Sequence, residues 1–370
     1  MSPRRPQDES DFRDRPGKRG SRPRTKRRPD HEDAVTGFVT AVDRGRYTLL
    51  VGAGPGATDG TPGTRSTDGR EVTEGPRSVL AMRASELRRE RVVCGDLVDV
   101  VGDASGADGT LARIVRIQDR RTVLRRTADD TDPYERIIVA NADRLVIVTA
   151  LAEPEPRTRM IDRCVVAAYD AGMAVTLCLT KADLADPTPL RELYEPLGVE
   201  VVVTERQPDG AGVGPLGPLQ DTLAGRLSVL VGHSGVGKST LVNALVPDAD
   251  RATGVVNDVT GRGRHTSTSA VALALPDGGG WIVDTPGVRS FGLAHVEVDG
   301  LLAAFEDLAE AATECPRGCT HTADAPDCAL DAWVEQGEDL PPSAGTPSRA
   351  FRSVRVESFR RVLGARTATV

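Results

Sequence analysis

Aromatic residues are scarce in this sequence, 3% of 370 positions, so its core has to be assembled largely from Val, Ala and Leu. Long apolar runs are missing too. Stretches such as Leu145 to Val148 are far too short to cross a bilayer, which excludes a membrane-spanning class. The start, MSPRRPQDES, lacks the apolar segment that a secretory leader carries behind its charges, so a cytoplasmic location without membrane contact is expected. Cysteines are few: Cys94, Cys164 and Cys178 are scattered among apolar residues, which offers no disulfide framework. Global positive charge is also absent. The net charge is −7, and residues 1–30 alone hold 11 Lys/Arg against 5 Asp/Glu, leaving −13 for everything after them. Long-range attraction to a polyanion is therefore excluded as a general driving force, and any such contact must come from local patches.

A hydrophobic content of 39%, with 38 Gly and 25 Pro for the loops, describes a chain not dominated by disorder. Its length exceeds one comfortable core, and several domains are expected. Residues 1–33 are rich in Arg, Pro and Asp and read as a disordered basic arm, either a phosphate-gripping extension or a solubilising tail. Over 34–118, five short runs read as strands of a small β-barrel: Thr36 to Val42, Arg46 to Val51, Val79 to Arg83, Asp96 to Val101 and Gly109 to Ile117. Gly52 to Gly75 reads as a long loop between the second and third. An oligonucleotide-binding barrel and a structural barrel of SH3-like type fit this pattern equally. After a linker, Arg120 to Tyr134, strands and helices alternate through 119–298, which predicts a multidomain α/β chain with a mostly parallel sheet covered on both faces. Residues 299–370 turn helical, with one helix expected over Leu301 to Ala312 and a last one near Arg349 to Leu363.

The chemistry sits in four motifs. The apolar run Leu227 to Val231 leads into Gly232-His233-Ser234-Gly235-Val236-Gly237-Lys238-Ser239-Thr240 and a helical pattern, the strand-loop-helix setting of a phosphate loop. Its glycines let backbone N–H groups face a phosphate, Lys238 reaches the β and γ phosphates, and Ser239 supplies a hydroxyl to Mg²⁺. Thr180-Lys181-Ala182-Asp183 follows another strand and suits a base-reading loop: the Asp183 carboxylate can accept both N1–H and N2–H₂ of guanine, a pair adenine does not present. Asp284-Thr285-Pro286-Gly287 ends a third strand, as a Mg²⁺-supporting Asp and a glycine sensing the γ-phosphate would. Gly261 to Thr268 is a polar loop in which Thr266 is the Mg²⁺ ligand expected with GTP bound. Separately, Cys315, Cys319, His321 and Cys328 supply three thiolates and an imidazole, enough to close a tetrahedral structural Zn²⁺ site.

The base motif precedes the phosphate loop here, whereas in ordinary GTPases it comes last. With these residues the chain resembles the circularly permuted ribosome small-subunit-dependent GTPase A family. The resemblance covers residues 34–363 and extends through Val288 to Gly292 and the Cys/His cluster. It implies an oligonucleotide-binding barrel, a permuted GTPase domain and a C-terminal zinc module. It also implies binding to the small (30S) ribosomal subunit and its rRNA, GTP hydrolysis stimulated by that subunit, a role in late subunit maturation, and a monomer.

Two departures from the family pattern stand out. Thr180 occupies the place of an Asn, which removes an amide that contacts guanine and ties loops together, while Asp183 remains. No Ser-Ala-Lys-like motif is recognisable in Val203-Thr204-Glu205-Arg206. Val288 stands where many GTPases carry a water-orienting Gln, so the catalytic set is read as His265, Thr266, Asp284 and Gly287, with His265 the candidate for positioning water. A nucleotide-dependent rRNA-binding module or chaperone with negligible hydrolysis is the alternative. A metabolic kinase would leave the Asp-Thr-Pro-Gly motif and the metal cluster without a reason.

Overall fold

A computed structural model describes residues 31, 33–55, 75–87, 90–127, 134–207, 212–247, 270–285, 291–293, 295–338 and 348–367. All of them except 31 belong to one compact unit, Asp33–Val370. The basic arm, the centre of the long loop after Val51, and the segments carrying Gly261 to Thr268 and Pro286 to Ser290 lie outside the described residues.

Five strands form the N-terminal barrel: β1 (Val35–Asp43), β2 (Arg46–Val51), β3 (Arg77–Arg83), β4 (Leu97–Val101) and β5 (Ala112–Ile117). They pair in the order β1-β2-β3-β5-β4, and β4 returns to β1, so the barrel is closed. The β3–β5 pair is parallel and the others antiparallel, the Greek-key arrangement of an oligonucleotide-binding fold rather than an SH3-like one. Val39, Leu49, Val79, Val98 and Ile114 fill its interior, each from the inward-facing positions of its strand.

The expected linker is structured. β6 (Val123–Arg126) pairs antiparallel with β7 (Arg136–Ala140), a short two-stranded ribbon that the Arg-rich sequence disguised. Gly95 lies where the barrel meets this ribbon. Its φ is +92°, and a Cβ there would stand 2.0 Å from the Ala140 carbonyl oxygen, so only glycine permits the contact.

The central sheet runs β10-β9-β8-β13-β15-β14 and continues into β1 of the barrel through one bridge, Ala41 to Val271. Its members are β8 (Arg144–Ala150), β9 (Ala174–Thr180), β10 (Glu200–Val203), β13 (Leu227–Gly232), β14 (Val271–Ala274) and β15 (Trp281–Asp284). The two-residue strands β11 (Glu205–Arg206) and β12 (Val213–Gly214) pair separately. The first five pairings outward from β10 are parallel up to β15, and β14 is antiparallel to it. Every residue of β13 is buried, and alternate residues sort to opposite faces. Leu145, Ile147, Val229 and Val231 pack with α1 (Thr158–Asp170) and the C-terminal elements, whereas Val146, Val148 and Leu230 pack with α3 (Gly217–Leu223) and α4 (Lys238–Leu245).

Helix α2 (Thr188–Tyr194) starts two residues before the expected run and ends in a 3₁₀ turn, Glu195–Leu197, closed by left-handed Gly198. The single helix expected over Leu301 to Ala312 is instead two short ones, α5 (Val298–Ala303) and α6 (Glu306–Ala311). The break falls at fully buried Phe305, whose ring meets Tyr169 and Phe359 edge-on at 5.2 and 5.4 Å. Tertiary packing of that ring outweighs continuation of the helix. α7 (Ala329–Glu335) and α8 (Arg349–Thr367) complete the chain, and α8 packs along α1. Among the described residues no helix is long and apolar enough to cross a membrane.

Candidate functional site

Because β9, β13 and β15 point the same way, their carboxyl ends share one edge of the sheet. Thr180 ends β9, Gly232 ends β13 and Asp284 ends β15, so topology alone brings the three motifs together.

The phosphate loop turns from Gly232 into α4, whose first residue is Lys238. Gly235 and Gly237 adopt φ of +85° and +91°, a left-handed curl that glycine takes at little cost. Val236 is buried and anchors the loop in the core, while Ser234, Ser239 and Thr240 are exposed. The ring Nδ1 of His233 lies 3.0 Å from the Ser234 carbonyl oxygen. Lys238 Nζ donates to Asp284 Oδ1 and to the Thr285 carbonyl, the latter at 2.6 Å. The ammonium and the carboxylate thus satisfy each other where a Mg²⁺-bound triphosphate would claim both. Thr285 is fixed from behind, its hydroxyl donating to the Leu230 carbonyl at 2.7 Å.

Beside this loop, Lys181 takes a left-handed φ of +59° and its ammonium donates to the Glu153 carbonyl. Asp183 is exposed, and its Oδ1 accepts the Arg206 backbone N–H at 3.0 Å. That bond, with the charges of Arg206 and Lys181 behind it, holds its carboxyl below the usual carboxylate range. An ionised, acceptor-only group suits the two adjacent donors of guanine.

Thr180 does not leave the loops untied, as the missing Asn amide suggests. Its hydroxyl donates to the Val236 carbonyl of the phosphate loop at 2.6 Å and lies 3.3 Å from the Thr149 carbonyl. A hydroxyl therefore makes the tie between base loop and phosphate loop. Thr204 to Arg206, to which sequence reasoning assigns no role, stand against the base loop. The Ala182 N–H donates to the Thr204 carbonyl at 3.2 Å, and Arg206 holds Asp183. The available signal was position, directly after the strand that neighbours β9, not residue type. His265, Thr266 and Gly287 lie outside the described residues, so of the catalytic set the structure locates Asp284.

The second candidate centre is remote in sequence from the first. The ligand atoms of Cys315, Cys319, His321 and Cys328 lie within 4.8 Å of one another. His321 Nδ1 is 3.6 Å from the Cys315 sulfur and 3.9 Å from that of Cys328. This donor set and its closeness fit a tetrahedral Zn²⁺, and the Ala329 N–H already donates to the Cys315 sulfur at 3.2 Å, as it would to a thiolate. Burial pushes the Cys315 thiol up to about 11 without a metal.

Comparison with known proteins places this geometry. Residues 117–294 match the family model described as RsgA GTPase. Small ribosomal subunit biogenesis GTPase RsgA of Alcanivorax borkumensis is 39% identical over 259 residues, 67% of this chain and 69% of the relative. The protein of the same description from Chlorobaculum parvum is 33% identical over 313 residues, 82% of this chain and 93% of the relative. Among solved structures, YjeQ from Thermotoga maritima superposes with a TM-score of 0.56 at 25% identity, covering 90% of this chain and 99% of that one. YloQ, described as a circularly permuted GTPase, also gives 0.56, at 20% identity over 93% of this chain and 100% of its own, a likeness of fold. With a relative matched over nearly its whole length, and with the permuted motifs on one sheet edge, this chain belongs to the RsgA family of circularly permuted GTPases.

Proposed function

We propose that this protein hydrolyses GTP to GDP and phosphate in the cytoplasm, as a monomer, in the service of small-subunit maturation. The barrel and the rest of the chain dock on the 30S subunit and its rRNA in the GTP state, and hydrolysis releases them. The observation that carries the reading is the convergence of Asp183, Lys238 and Asp284 on one sheet edge, each at the end of its own parallel strand. Relatives that match most of the chain are named for small-subunit biogenesis, which supports the choice of partner.

In this reading Asp183 reads the base, and the phosphate loop Gly232 to Thr240 holds the phosphates. Mg²⁺ sits between Ser239 and Thr266, with Asp284 behind it. The arriving triphosphate takes Lys238 from Asp284 and frees the carboxylate to support the metal. The Gly287 amide senses the γ-phosphate, and His265 takes the place of the water-orienting Gln that Val288 cannot supply. Because an apolar residue stands there, unaided turnover is slow and the subunit completes the geometry. One Zn²⁺ on Cys315, Cys319, His321 and Cys328 folds the C-terminal module. The working division is a barrel over 34–118, the GTPase over 119–298 and the zinc module over 299–370. Steady-state GTP turnover, measured with and without purified 30S subunits, is the test. Stimulation of at least about a hundredfold is expected; equal rates would overturn the ribosome-dependent part of the reading.

A further inference from the structure

Arg163 lies in the middle of α1 with 3% of its surface exposed. Its guanidinium bridges two segments far apart in sequence. Nε donates to the Phe291 carbonyl at 2.6 Å and Nη1 to the Ala365 carbonyl, near the end of α8, at 2.8 Å. Desolvating a guanidinium is expensive, and a long apolar side chain would fill the same volume without that cost. The two carbonyls it joins are therefore the feature to explain.

Phe291 is six residues beyond Thr285, where the chain that carries Asp284-Thr285-Pro286-Gly287 re-enters the described fold. That re-entry point is held on both sides. Gly292 exchanges two backbone hydrogen bonds with Thr127, at 3.2 and 3.3 Å, and the Phe291 and Leu293 side chains are buried. At the upstream end, Thr285 is bonded through its carbonyl to Lys238, a bond that a nucleotide phosphate competes for. The segment between Thr285 and Phe291 thus has one end that answers to the nucleotide and one end fixed by Arg163.

The other arm of Arg163 reaches a helix that is itself wired to the Cys/His centre. On α8, Arg360 donates to the His321 carbonyl at 3.1 Å and makes a two-pronged pair with Asp331 at 2.7 and 2.8 Å. One residue on, Arg361 pairs with Asp162, the neighbour of Arg163 on α1, and donates to the Leu193 carbonyl at 3.0 Å. A shift of the Phe291 carbonyl is therefore felt by α8 through one guanidinium.

We propose that Arg163 is a positioning residue that couples the nucleotide state of the Asp284–Thr285 strand end to the seating of α8, and through Arg360 to the zinc module. This rests on the GTP-switch reading above and names the residue that carries its signal. The fork of a guanidinium can serve two carbonyls at once, whereas a lysine ammonium at the same place serves one. Both ends of the relay are main-chain atoms, so the device survives substitution of Phe291 or Ala365 but not of Arg163.

The experiment is hydrogen exchange on the zinc-loaded full chain, saturated with GDP or with guanylyl imidodiphosphate. In the wild type, exchange over the last turns of α8 is expected to differ between the two nucleotides by about fivefold or more. Arg163→Lys, and independently a chain ending at Gly364, should abolish that difference while each binds the GTP analogue within about twofold of wild type. Combining the two changes should add nothing further, because they cut the same link. If either single variant keeps the difference, or the wild type shows none, the coupling role of Arg163 is wrong. Should Arg163→Lys fail to fold, the truncated chain decides alone. A wild type with nucleotide-dependent α8 exchange but no turnover response to 30S subunits would leave the relay standing and sink the ribosome-dependent reading.

Discussion

Replacing Asp183 by Asn changes one oxygen to an amide on an exposed side chain, and the consequences follow from its surroundings. The Asn carbonyl can still accept the Arg206 N–H that now ends on Oδ1 at 3.0 Å, so the loop keeps its shape and stability should change by no more than about 0.5 kcal/mol. The base loses more. A carboxylate accepting two guanine donors contributes about 1.5–3 kcal/mol per bond, and the amide sets an N–H₂ against one of those donors. A net loss of about 3 kcal/mol corresponds to GDP binding about 150-fold weaker. Xanthine, with a carbonyl where guanine has its amino group, gains what guanine loses. The measurement is displacement of a fluorescent guanine nucleotide by GDP, XDP and ADP, for wild type and variant side by side. The wild type should rank GDP far above ADP, and the variant should prefer XDP over GDP. A variant that keeps its guanine preference to within about threefold of wild type would refute the assignment of Asp183 as the base reader.

Thr180→Val keeps the shape but leaves the Val236 carbonyl without its hydroxyl partner, so GDP affinity should fall by about 1–2 kcal/mol, and Thr180→Asn should restore it; equal affinities in calorimetric titration would show the tie to be idle. The chain should contain one zinc, measured by elemental analysis, and Cys328→Ala should lose it. Because structural zinc sites are worth on the order of 10 kcal/mol, the last part of the chain should then melt separately from the GTPase, and unchanged melting would count against the site. Burial holds His295 below its ordinary pKa, with Asp170 and Glu135 pulling the other way and Arg125 with burial, and its Nδ1 finds no partner among the described residues. The unfolded chain therefore takes up the proton first, and stability drops as pH falls below about 6.5, by about 1.4 kcal/mol for each unit separating the two states. His295→Gln should flatten the melting profile between about pH 7.5 and pH 5.5, and an equally steep profile would assign that loss to other groups.

Residue types whose role is fixed by local chemistry were legible directly. The glycines of the phosphate loop, the Cys/His spacing and the carboxylate of Asp183 announce themselves because few other residues can curl a loop around phosphate, ligate Zn²⁺ or accept two guanine donors. Strand positions in the barrel were legible for the same kind of reason, since alternation has a period of two on any half-buried sheet. The closure that separates an oligonucleotide-binding barrel from an SH3-like one was not. It depends on β3 pairing with β5 and β4 with β1, contacts across about 30 and 60 residues of chain.

The misses share that cause. The β6–β7 ribbon looked like a linker because its arginines obscure the alternation, and the helix over Leu301 to Ala312 breaks because the ring of Phe305 has two partners elsewhere. Thr180 looked like a loss because an amide was expected, yet a hydroxyl reaches the same carbonyl once β9 and β13 lie two strands apart in one sheet. The sequence by itself determined which atoms do the chemistry and in what order they occur along the chain. Only the tertiary structure decided which main-chain atoms they meet, namely Arg206 for Asp183, Val236 for Thr180, and Phe291 with Ala365 for Arg163. Main-chain donors and acceptors are the same in every residue, so no pattern of side chains can point to them.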